Sequence, residues 1–393
     1  MHLFLWAEDS EAELSSELSE LGSLRPSEAL PDSLLAAEFP VPAGQRVPHL
    51  VFARQWLPEA RAVHEESINA WARDLFQAVA GVLADDHPWS LHIEPHYGAP
   101  VTRRMGARAW HSLSRAQGTS LGFKGMTTRT PGFAGGPPPE RSARPSVEAE
   151  AGRNRCTLIR GCLIDMLQRK RRHLLRQLRK EPQPFSPGDS LVQLILTSPD
   201  SGFISIARAP LPFEQRHLLS PFPKGQVAVA SDKAAPSRAF AKLVEAERRL
   251  GRPIQHGETC VDLGAAPGSW TYVAVGRGAR VIAVDRSPLR KDLALSPQVD
   301  FQPGDAFRFQ PPRQVDWLLC DVIAEPERTA ALLLEWLRHG WCRHFVVTLK
   351  LRDAGSAEVL QLLKRELPPL TREVLLTRLC ANKKEVCAFG LAR

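Results

Sequence analysis

The sequence predicts an α/β fold in which a Rossmann-like domain at the C-terminus follows smaller α+β modules. Residues 259–263 form a short apolar run that enters a tight turn containing Gly264 and Gly268. Two later apolar runs end in polar residues, Asp321 and Lys350. In an open, mostly parallel sheet the carboxyl ends of the strands line one crevice, where ligands bind. We therefore expect a doubly wound sheet that gathers these residues at a single site.

The length of 393 residues predicts two or three domains of about 100 to 200 residues each. The N-terminal part starts with an apolar strand, continues with an acidic helix rich in Ser and Glu, and reaches a second strand near Leu50. Further strand-like runs at 91–94, 191–196 and 202–206 indicate a second module. The predicted division is a small α/β module at 1–58, a second module at 59–211, a Pro-containing linker at 212–236 and the Rossmann-like domain at 237–393.

Residues 103–155 interrupt the second module with a stretch rich in Gly, Pro, Ser, Thr and Arg. Such a composition offers too little apolar surface for a packed core, so we predict a flexible insertion. Its arginines either contact a polyanion or form an ordinary charged loop, and the composition favours the charged loop.

Basic residues cluster on a predicted amphipathic helix beyond this insertion. The whole chain carries 51 Lys and Arg against 43 Asp and Glu, a net charge of +8, and a basic balance favours polyanions. The helix could dock by its apolar side and offer its cations to phosphates, whereas the alternative is a solvated helix face. Cations run from Arg169 to Arg172 and continue to Lys180, and the apolar stripe consists of Leu163, Leu167, Leu174 and Leu178.

The cysteines and histidines favour neither a disulfide framework nor a metal centre. Seven cysteines form no Cys-x-x-Cys pair, and an odd number without a leader sequence is typical of a reducing compartment. His87, His92 and His96 lie close together, but no matching Cys or carboxylate set follows, so we predict no metal site. With neither a signal peptide nor a run of about 20 apolar residues, we expect a cytoplasmic protein.

The glycine turn has the features of a loop that holds a nucleotide-type cofactor. Glycines let the backbone turn sharply and approach a ligand without a Cβ in the way. The dinucleotide pattern G-x-G-x-x-G is absent, and no helix N-terminus is predicted to receive a pyrophosphate. The pattern Asp-x-Gly-x-x-Pro-Gly suits S-adenosylmethionine instead, which makes methyl transfer the leading hypothesis. The candidate cofactor-binding residues of this turn are Asp262, Gly264, Ala266, Pro267, Gly268 and Ser269.

Acidic residues after the following strands complete the predicted cofactor site. Asp285 ends an apolar run, where a carboxylate can accept hydrogen bonds from both ribose hydroxyls. Asp305 follows the next apolar segment and is expected to receive the adenine amino group, although an aspartate at such a position is as often a turn former or a helix cap. Asp321 is expected to face both the cofactor and the reacting group.

Lys350 is informative because it ends a predicted buried strand. Buried lysines are rare unless paired, and burial or a neighbouring cation lowers the pKa of a lysine toward a value useful in a general base. Lys242 lies on a predicted helix before the first strand of the domain. An aspartate between two lysines would let one stay charged while the other loses its proton. Glu385, on a predicted hairpin strand, adds a fourth polar group.

The set Lys242, Asp321, Lys350 and Glu385 resembles the Lys-Asp-Lys-Glu tetrad of FtsJ-type RNA ribose 2′-O-methyltransferases. A closer resemblance, from about residue 50 onward and tightest over 220–350, is to the RlmM family, which methylates a cytidine of bacterial 23S ribosomal RNA. Ala266 and Ser269 stand where that family usually has Cys and Gly, both small-for-small changes. The residues that carry the resemblance are Phe-Ala-Arg-Gln-Trp at 52–56, Ser-Pro-Phe at 220–222, Ala-Pro-Ser-Arg at 235–238, Gly-Ser-Trp-Thr-Tyr at 268–272 and Gly-Trp-Cys-Arg at 340–343.

The resemblance implies a fold, a cofactor and a partner. It implies an RNA-binding region with a ferredoxin-like, THUMP-containing α+β module in 59–211, followed by a Rossmann-like S-adenosylmethionine methyltransferase domain. It also implies S-adenosylmethionine as the cofactor, large-subunit ribosomal RNA as the partner and the tetrad as the catalytic set. Ser237, which precedes the helix of Lys242, is placed near the cofactor or the RNA by the resemblance alone.

In the predicted reaction Lys350, held neutral at the moment of reaction by Lys242 and by burial, removes the proton of a ribose 2′-hydroxyl while the oxygen attacks the methyl group in line. Asp321 orients Lys350 and steadies the sulfonium, and Glu385 holds the nucleoside or a lysine. One alternative is the same chemistry on another RNA such as transfer RNA, since the N-terminal part must choose the substrate. Another is a non-catalytic RNA-binding scaffold. A small-molecule methyltransferase ranks last, and a monomer is favoured.

Overall fold

The computed structural model describes residues 1–21, 34–38, 49–83, 86–97, 146–351, 355–382 and 384–393. Within these residues, the strands form sheets of three, four and seven strands. Most of the predicted insertion, residues 103–145, lies outside the described residues.

The first sheet is antiparallel, with the order β2-β1-β3. It contains β1 (His2–Trp6), β2 (Leu34–Ala37) and β3 (Ala53–Leu57), and helix α1 (Glu11–Glu20) follows β1. The sequence analysis missed β2, because its residues, two leucines and two alanines, neither alternate with polar residues nor strongly favour strands. The strand predicted near Leu50 begins at Ala53.

The second sheet has the order β4-β7-β6-β5. Leucines, isoleucines and tryptophans from its strands and from three helices share one buried cluster. The sequence predicted β5, β6 and β7 but missed β4 and α2. The elements are β4 (Arg61–His64), α2 (Ile68–Val82), β5 (Trp89–Pro95), α3 (Val147–Lys170), α4 (Arg172–Gln177), β6 (Ser190–Leu196) and β7 (Ser201–Ala207).

Two expectations about the helices of this module were wrong. Residues 147–155, expected in the flexible insertion, form the first turns of α3. The Ser146 hydroxyl caps them by accepting from the Ala149 amide at 3.1 Å, and Cys156 is buried one turn later. The single basic helix is in fact two, because the backbone of Arg171 leaves the helical region at φ −145° and ψ 56°. Leu178, expected on the apolar stripe, therefore lies beyond the end of α4.

The third sheet contains the C-terminal strands in the order β10-β9-β8-β11-β12-β14-β13. Strands β8 to β12 run parallel, and β14 and β13 add an antiparallel hairpin at one edge. A short helix α5 (Phe213–Arg216) and a 3₁₀ turn (Pro223–Gly225) precede it. Its elements are α6 (Phe240–Leu250), β8 (Thr259–Leu263), α7 (Ser269–Gly276), β9 (Arg280–Asp285), α8 (Lys291–Ala294), β10 (Val299–Pro303), β11 (Val315–Cys320), α9 (Pro326–Arg338), β12 (Cys342–Lys350), α10 (Gly355–Leu370), β13 (Thr371–Thr377) and β14 (Glu385–Ala392).

The first and third sheets share a hydrophobic core. Phe4, Leu14 and Trp56 of the N-terminal part belong to the same buried cluster as Val374 and Leu376 of β13. Among the described residues, no helix is long and apolar enough to span a bilayer, and no group of three or more Cys, His, Asp or Glu residues is arranged to hold a metal ion.

Candidate active site

The strand order places one crevice at the centre of the third sheet. Strand β8 lies between β9 and β11, so the chain leaves it toward one side of the sheet and later returns on the other. Loops that diverge in this way open a cleft at the carboxyl ends of the strands. The turn after β8, Asp285 after β9, Asp321 after β11 and Lys350 at the end of β12 all lie at these ends.

The turn after β8 is shaped by its glycines. Gly264 has φ +76°, and a Cβ on it would lie 2.7 Å from Cγ1 of Val322 and 3.0 Å from its Cα. Gly268 has φ +111°, and a Cβ on it would overlap the side chain of Leu293. Neither position accepts an ordinary side chain without movement of its neighbours.

Helix α7 begins at Ser269, directly after this turn, so a helix N-terminus does lie at the loop. Its first turn, Ser-Trp-Thr-Tyr at 269–272, contains no acidic residue, which is why the sequence did not reveal the helix start. The N-terminal end of a helix favours electron-rich groups of a ligand, and in this one the Thr271 amide already donates to Asp262.

Asp262 was predicted to contact the cofactor, but the structure places it in the protein interior. Its side chain is buried, and Oδ2 accepts hydrogen bonds from the amide of Thr271 at 2.9 Å and from its hydroxyl at 2.7 Å. Burial raises the pKa of this carboxyl to about 7. Asp262 thus ties β8 to α7, and the structure does not present it to a ligand.

Asp285 and Asp305 lie next to each other at the ends of adjacent strands. Asp285 accepts hydrogen bonds from the amides of Ala266, at 3.0 Å, and Ser287, at 2.8 Å. Asp305 accepts from the amide of Phe307 at 3.0 Å and pairs with Arg286 at 2.6 Å; the Phe307 amide contributes most to lowering its pKa. Both carboxylates are partly exposed beside the glycine turn.

Ser237, Ala266, Pro267 and Ser269 also belong to this turn region. The hydroxyls of Ser237 and Ser269 are 2.6 Å apart, and Ser237 accepts from the Ala239 amide at 3.2 Å. The carbonyl of Pro267 accepts from the amide of Arg290 at 3.0 Å. The structure therefore places Ser237 against the first residue of α7.

The four residues of the predicted tetrad form one contiguous cluster. Lys242 Nζ lies 3.0 and 3.1 Å from the oxygens of Asp321 and 2.6 Å from Glu385 Oε1. Lys350 Nζ lies 2.9 Å from Asp321 Oδ1 and donates to Glu385 Oε2. Glu385, which the sequence placed with least support, faces Lys350 directly across the β12–β14 ladder.

In the free protein, the contacts of the cluster favour the charged form of Lys350. Burial alone would lower the pKa of Lys350, but the contacts with Asp321 and Glu385 outweigh it and raise the pKa. The same ion pairs lower the pKa of Glu385 against the opposing effect of burial. Each lysine contacts two carboxylates, so the positive charge of Lys242 is balanced within the cluster and does not drive a proton from Lys350.

Sequence reasoning missed one buried carboxylate close to this cluster. Glu245 lies three residues after Lys242 on α6 and is fully buried. A Lys-x-x-Glu spacing places both side chains near one face of a helix, and that spacing was the available signal.

The C-terminal part of the chain matches a known family. Residues 235–360 match the model described as FtsJ-like methyltransferase. A putative hemolysin structure from Lactococcus lactis aligns with 40% of this chain and 88% of its own at a TM-score of 0.33 and 17% identity, a likeness too low to carry an argument.

Curated relatives extend this similarity. The chain is 42% identical over 138 residues to ribosomal RNA large subunit methyltransferase M of Marinomonas sp., covering 34% of this chain and 39% of the relative. It is 35% identical over 198 residues to the protein of that name from Thauera aminoaromatica, covering 48% and 54%. The Halorhodospira halophila protein is 46% identical over 134 residues, covering 33% and 39%. The matches thus span about half or less of the relatives' length. They confirm the resemblance that the sequence predicted: the Rossmann-like C-terminal domain is similar to FtsJ-like methyltransferases and, among named proteins, to ribosomal RNA large subunit methyltransferase M.

Proposed function

We propose that this protein is an S-adenosylmethionine-dependent ribose 2′-O-methyltransferase that acts on a cytidine of 23S ribosomal RNA. The observation that carries the proposal is the cluster of Lys242, Asp321, Lys350 and Glu385 at the same strand ends as the glycine turn. The names of the matched relatives support large-subunit ribosomal RNA as the substrate.

The residues around the turn after β8 fit S-adenosylmethionine. Gly264 and Gly268 keep the turn free of side chains, and the carboxylates of Asp285 and Asp305 stand beside it as hydrogen-bond acceptors for the nucleoside. Asp262 supports the turn from behind through Thr271. Ala266, Pro267, Ser269 and Ser237 would contribute backbone and hydroxyl contacts. When bound, S-adenosylmethionine supplies a methyl group activated by its sulfonium.

In the proposed reaction Lys350 takes the proton of the ribose 2′-hydroxyl. Asp321 accepts a hydrogen bond from the Lys350 amine at 2.9 Å, and Glu385 accepts a second hydrogen bond from the same amine. Lys242 fixes both carboxylates and keeps them from turning toward solvent. Because the ion pairs with Asp321 and Glu385 raise the pKa of Lys350, its amine must first release a proton to solvent before it can accept the proton of the hydroxyl. A positioned general base contributes about 10²- to 10⁴-fold to such a rate.

The N-terminal modules would bind and select the RNA. Arg169, Lys170, Arg172 and Arg176 are exposed on α3 and α4, where they would contact phosphates. Lys170 also lies over the ring of Phe76, with its Nζ 5.7 Å from the ring centroid. We assign RNA binding to a THUMP-like module within 59–211, joined through a linker at 212–236 to the catalytic domain at 237–393, with 1–58 as a separate small module. A substrate of this kind also favours the cytoplasm as the place of action.

The test is methyl transfer to protein-free large-subunit ribosomal RNA from methyl-labelled S-adenosylmethionine. Label should appear in a dinucleotide that resists alkali, because a 2′-O-methyl group blocks cleavage of the adjacent 3′ linkage. The Lys350→Ala variant should lose transfer by about 10²-fold or more while still binding the cofactor.

Lys364→Ala is the matched control. Lys364 is a similarly buried lysine that pairs with Glu17 at 2.6 Å, away from the tetrad. It should retain transfer, so that a loss in both variants would indicate damage to the fold. Label in alkali-sensitive material would contradict ribose methylation, and label only on transfer RNA would overturn the ribosomal substrate. No transfer to any RNA despite cofactor binding would favour a scaffold.

A further inference from the structure

The loop that precedes Glu385 of the tetrad makes hydrogen bonds to two other parts of the protein. Glu385 begins β14, and a loop that includes residues 378–382 and 384 precedes it and returns the chain from β13. Among the described residues, this loop contacts both helix α6, which carries Lys242, and the N-terminal module. Contacts outside the tetrad therefore add to the ion pair and to the β12–β14 ladder in holding Glu385 relative to Lys242.

Glu245 makes the contact on the side of α6. Its Oε1 accepts from the Cys380 amide at 3.0 Å, and its Oε2 accepts from the same amide at 2.8 Å and from the Ala381 amide at 3.3 Å. Arg249, one turn later, donates to Oε1 at 2.7 and 3.0 Å. A fully buried carboxylate is retained at such a place only when its acceptors are satisfied, and here they bind the loop backbone.

The N-terminal module makes the contact on the other side. The Arg378 amide donates to the Val51 carbonyl at 3.1 Å, and Arg54 contacts the sulfur of Cys380. Within the loop, the Asn382 side chain donates to the carbonyl of Glu385 at 3.0 Å. The hydrogen bonds thus run from Glu245 through the loop to the residue that carries the catalytic carboxylate.

We propose that Glu245 is a positioning residue of the methyl-transfer site. By holding Cys380 and Ala381 against α6, it keeps the Glu385 carboxylate 2.6 Å from Lys242, and through Glu385 it keeps Lys350 in place. Glu245 does not reach the substrate or the cofactor. This inference rests on the proposed function, since it concerns the geometry of the same reaction.

The experiment compares Glu245→Gln with Glu247→Gln in the full chain. Glutamine keeps the size of the side chain but turns one acceptor oxygen into a donor, which then faces either the loop amides or Arg249. Glu247 is a matched control because it is also buried on α6, yet it bonds to the Ile254 amide at 2.9 Å and to Arg277 at 3.0 Å, away from the loop.

The expected result is a fall of about tenfold or more in kcat for Glu245→Gln, because small misplacements of catalytic groups are costly. The KM for RNA and the Kd for S-adenosylmethionine should stay unchanged, since the lost interaction serves the reaction and not binding. Amide hydrogen exchange of residues 378–388 should become faster in Glu245→Gln alone. Glu247→Gln should keep the wild-type kcat and the wild-type exchange of this segment.

Two results would overturn the positioning role. One is an equal fall of kcat in both variants, which would indicate general damage to α6. The other is unchanged exchange of residues 378–388 in Glu245→Gln, which would show that other contacts hold the loop. If the wild-type protein itself transfers no methyl group, the proposed function fails, and the exchange comparison alone decides whether Glu245 holds the loop.

Discussion

At the scale of single residues, the charges of the tetrad balance one another. Lys242 and Lys350 each contact both Asp321 and Glu385, so the cluster contains two cations and two anions. Burial opposes the charges of Lys350 and Glu385, but the ion pairs outweigh it, raising the pKa of Lys350 and lowering that of Glu385. In the proposed reaction, Lys350 must therefore lose a proton before it can act as a base.

This charge state predicts the pH dependence of the reaction. The pKa of Lys350 is raised, since Asp321 and Glu385 outweigh burial, so the neutral fraction of the amine grows with pH. The value of kcat/KM should rise about tenfold per pH unit. It should reach no plateau below pH ~10, the ordinary pKa of lysine. Initial rates at low RNA concentration measure this profile, with cofactor binding and circular dichroism followed at each pH. A plateau near neutral pH would contradict Lys350 as a base that starts protonated.

A second prediction at this scale concerns the glycine turn. Gly264→Ala should weaken S-adenosylmethionine binding by about tenfold, since left-handed backbone costs an L-residue about 1 to 2 kcal/mol and the new Cβ would meet Val322. Gly276→Ala is the control, because nothing lies within 4 Å of a Cβ there. Isothermal titration calorimetry of both variants measures the effect. If Gly264→Ala bound S-adenosylmethionine with wild-type affinity, this turn would not be part of the cofactor site.

Several site residues could be predicted from the sequence because they end strands. Asp285, Asp321 and Lys350 each follow an apolar run, and a parallel sheet brings such positions together without any detail of packing. The buried role of Asp262 could not be predicted, because the same position in the sequence serves a ligand or the neighbouring helix equally well. The charge state of Lys350 required its distances to two carboxylates that are remote in the sequence.

At the scale of elements, the start of helix α3 shows that a segment with the composition of a loop can form a helix. Gly152 lies where composition indicated an insertion, yet it packs closely against Pro95 and Tyr97. The exposed cations of the two helices lie on both sides of the break at Arg171. They form a basic surface that spans two helices instead of the single helix that periodicity predicted.

This surface gives a prediction for RNA binding. The combined variant Arg169→Ala, Lys170→Ala and Arg172→Ala should bind ribosomal RNA more weakly at low salt. The slope of log affinity against log salt should become shallower by about 2 to 3, since each phosphate contact contributes about 0.7 to 0.9. The control replaces Arg313, Arg338 and Arg343, exposed arginines at the amino ends of the catalytic strands, by alanine. Filter binding over a range of salt concentrations measures both slopes, and equal slopes would exclude the α3–α4 surface from the RNA interface.

At the scale of the whole molecule, the modules are joined by a common core. Glu17 of α1 accepts hydrogen bonds from the amides of Val51 and Phe52, at 3.1 and 3.2 Å, and pairs with Lys364 of α10. Residues of the first sheet and of β13 share one apolar cluster. The sequence indicated separate modules, because composition and periodicity report on local segments and not on which apolar faces meet. The joint between modules could be found only in the folded chain.

The tetrad draws its members from helix α6 and from strands β11, β12 and β14, which are far apart along the chain. No short stretch of the polypeptide contains even two of these residues. A partly folded chain therefore cannot form part of the site from local structure alone. Under the proposed function, methyl transfer would therefore be a direct measure of long-range order in this molecule. In a denaturant titration, activity reports the joining of β14 to β12, whereas helical signals report only local structure.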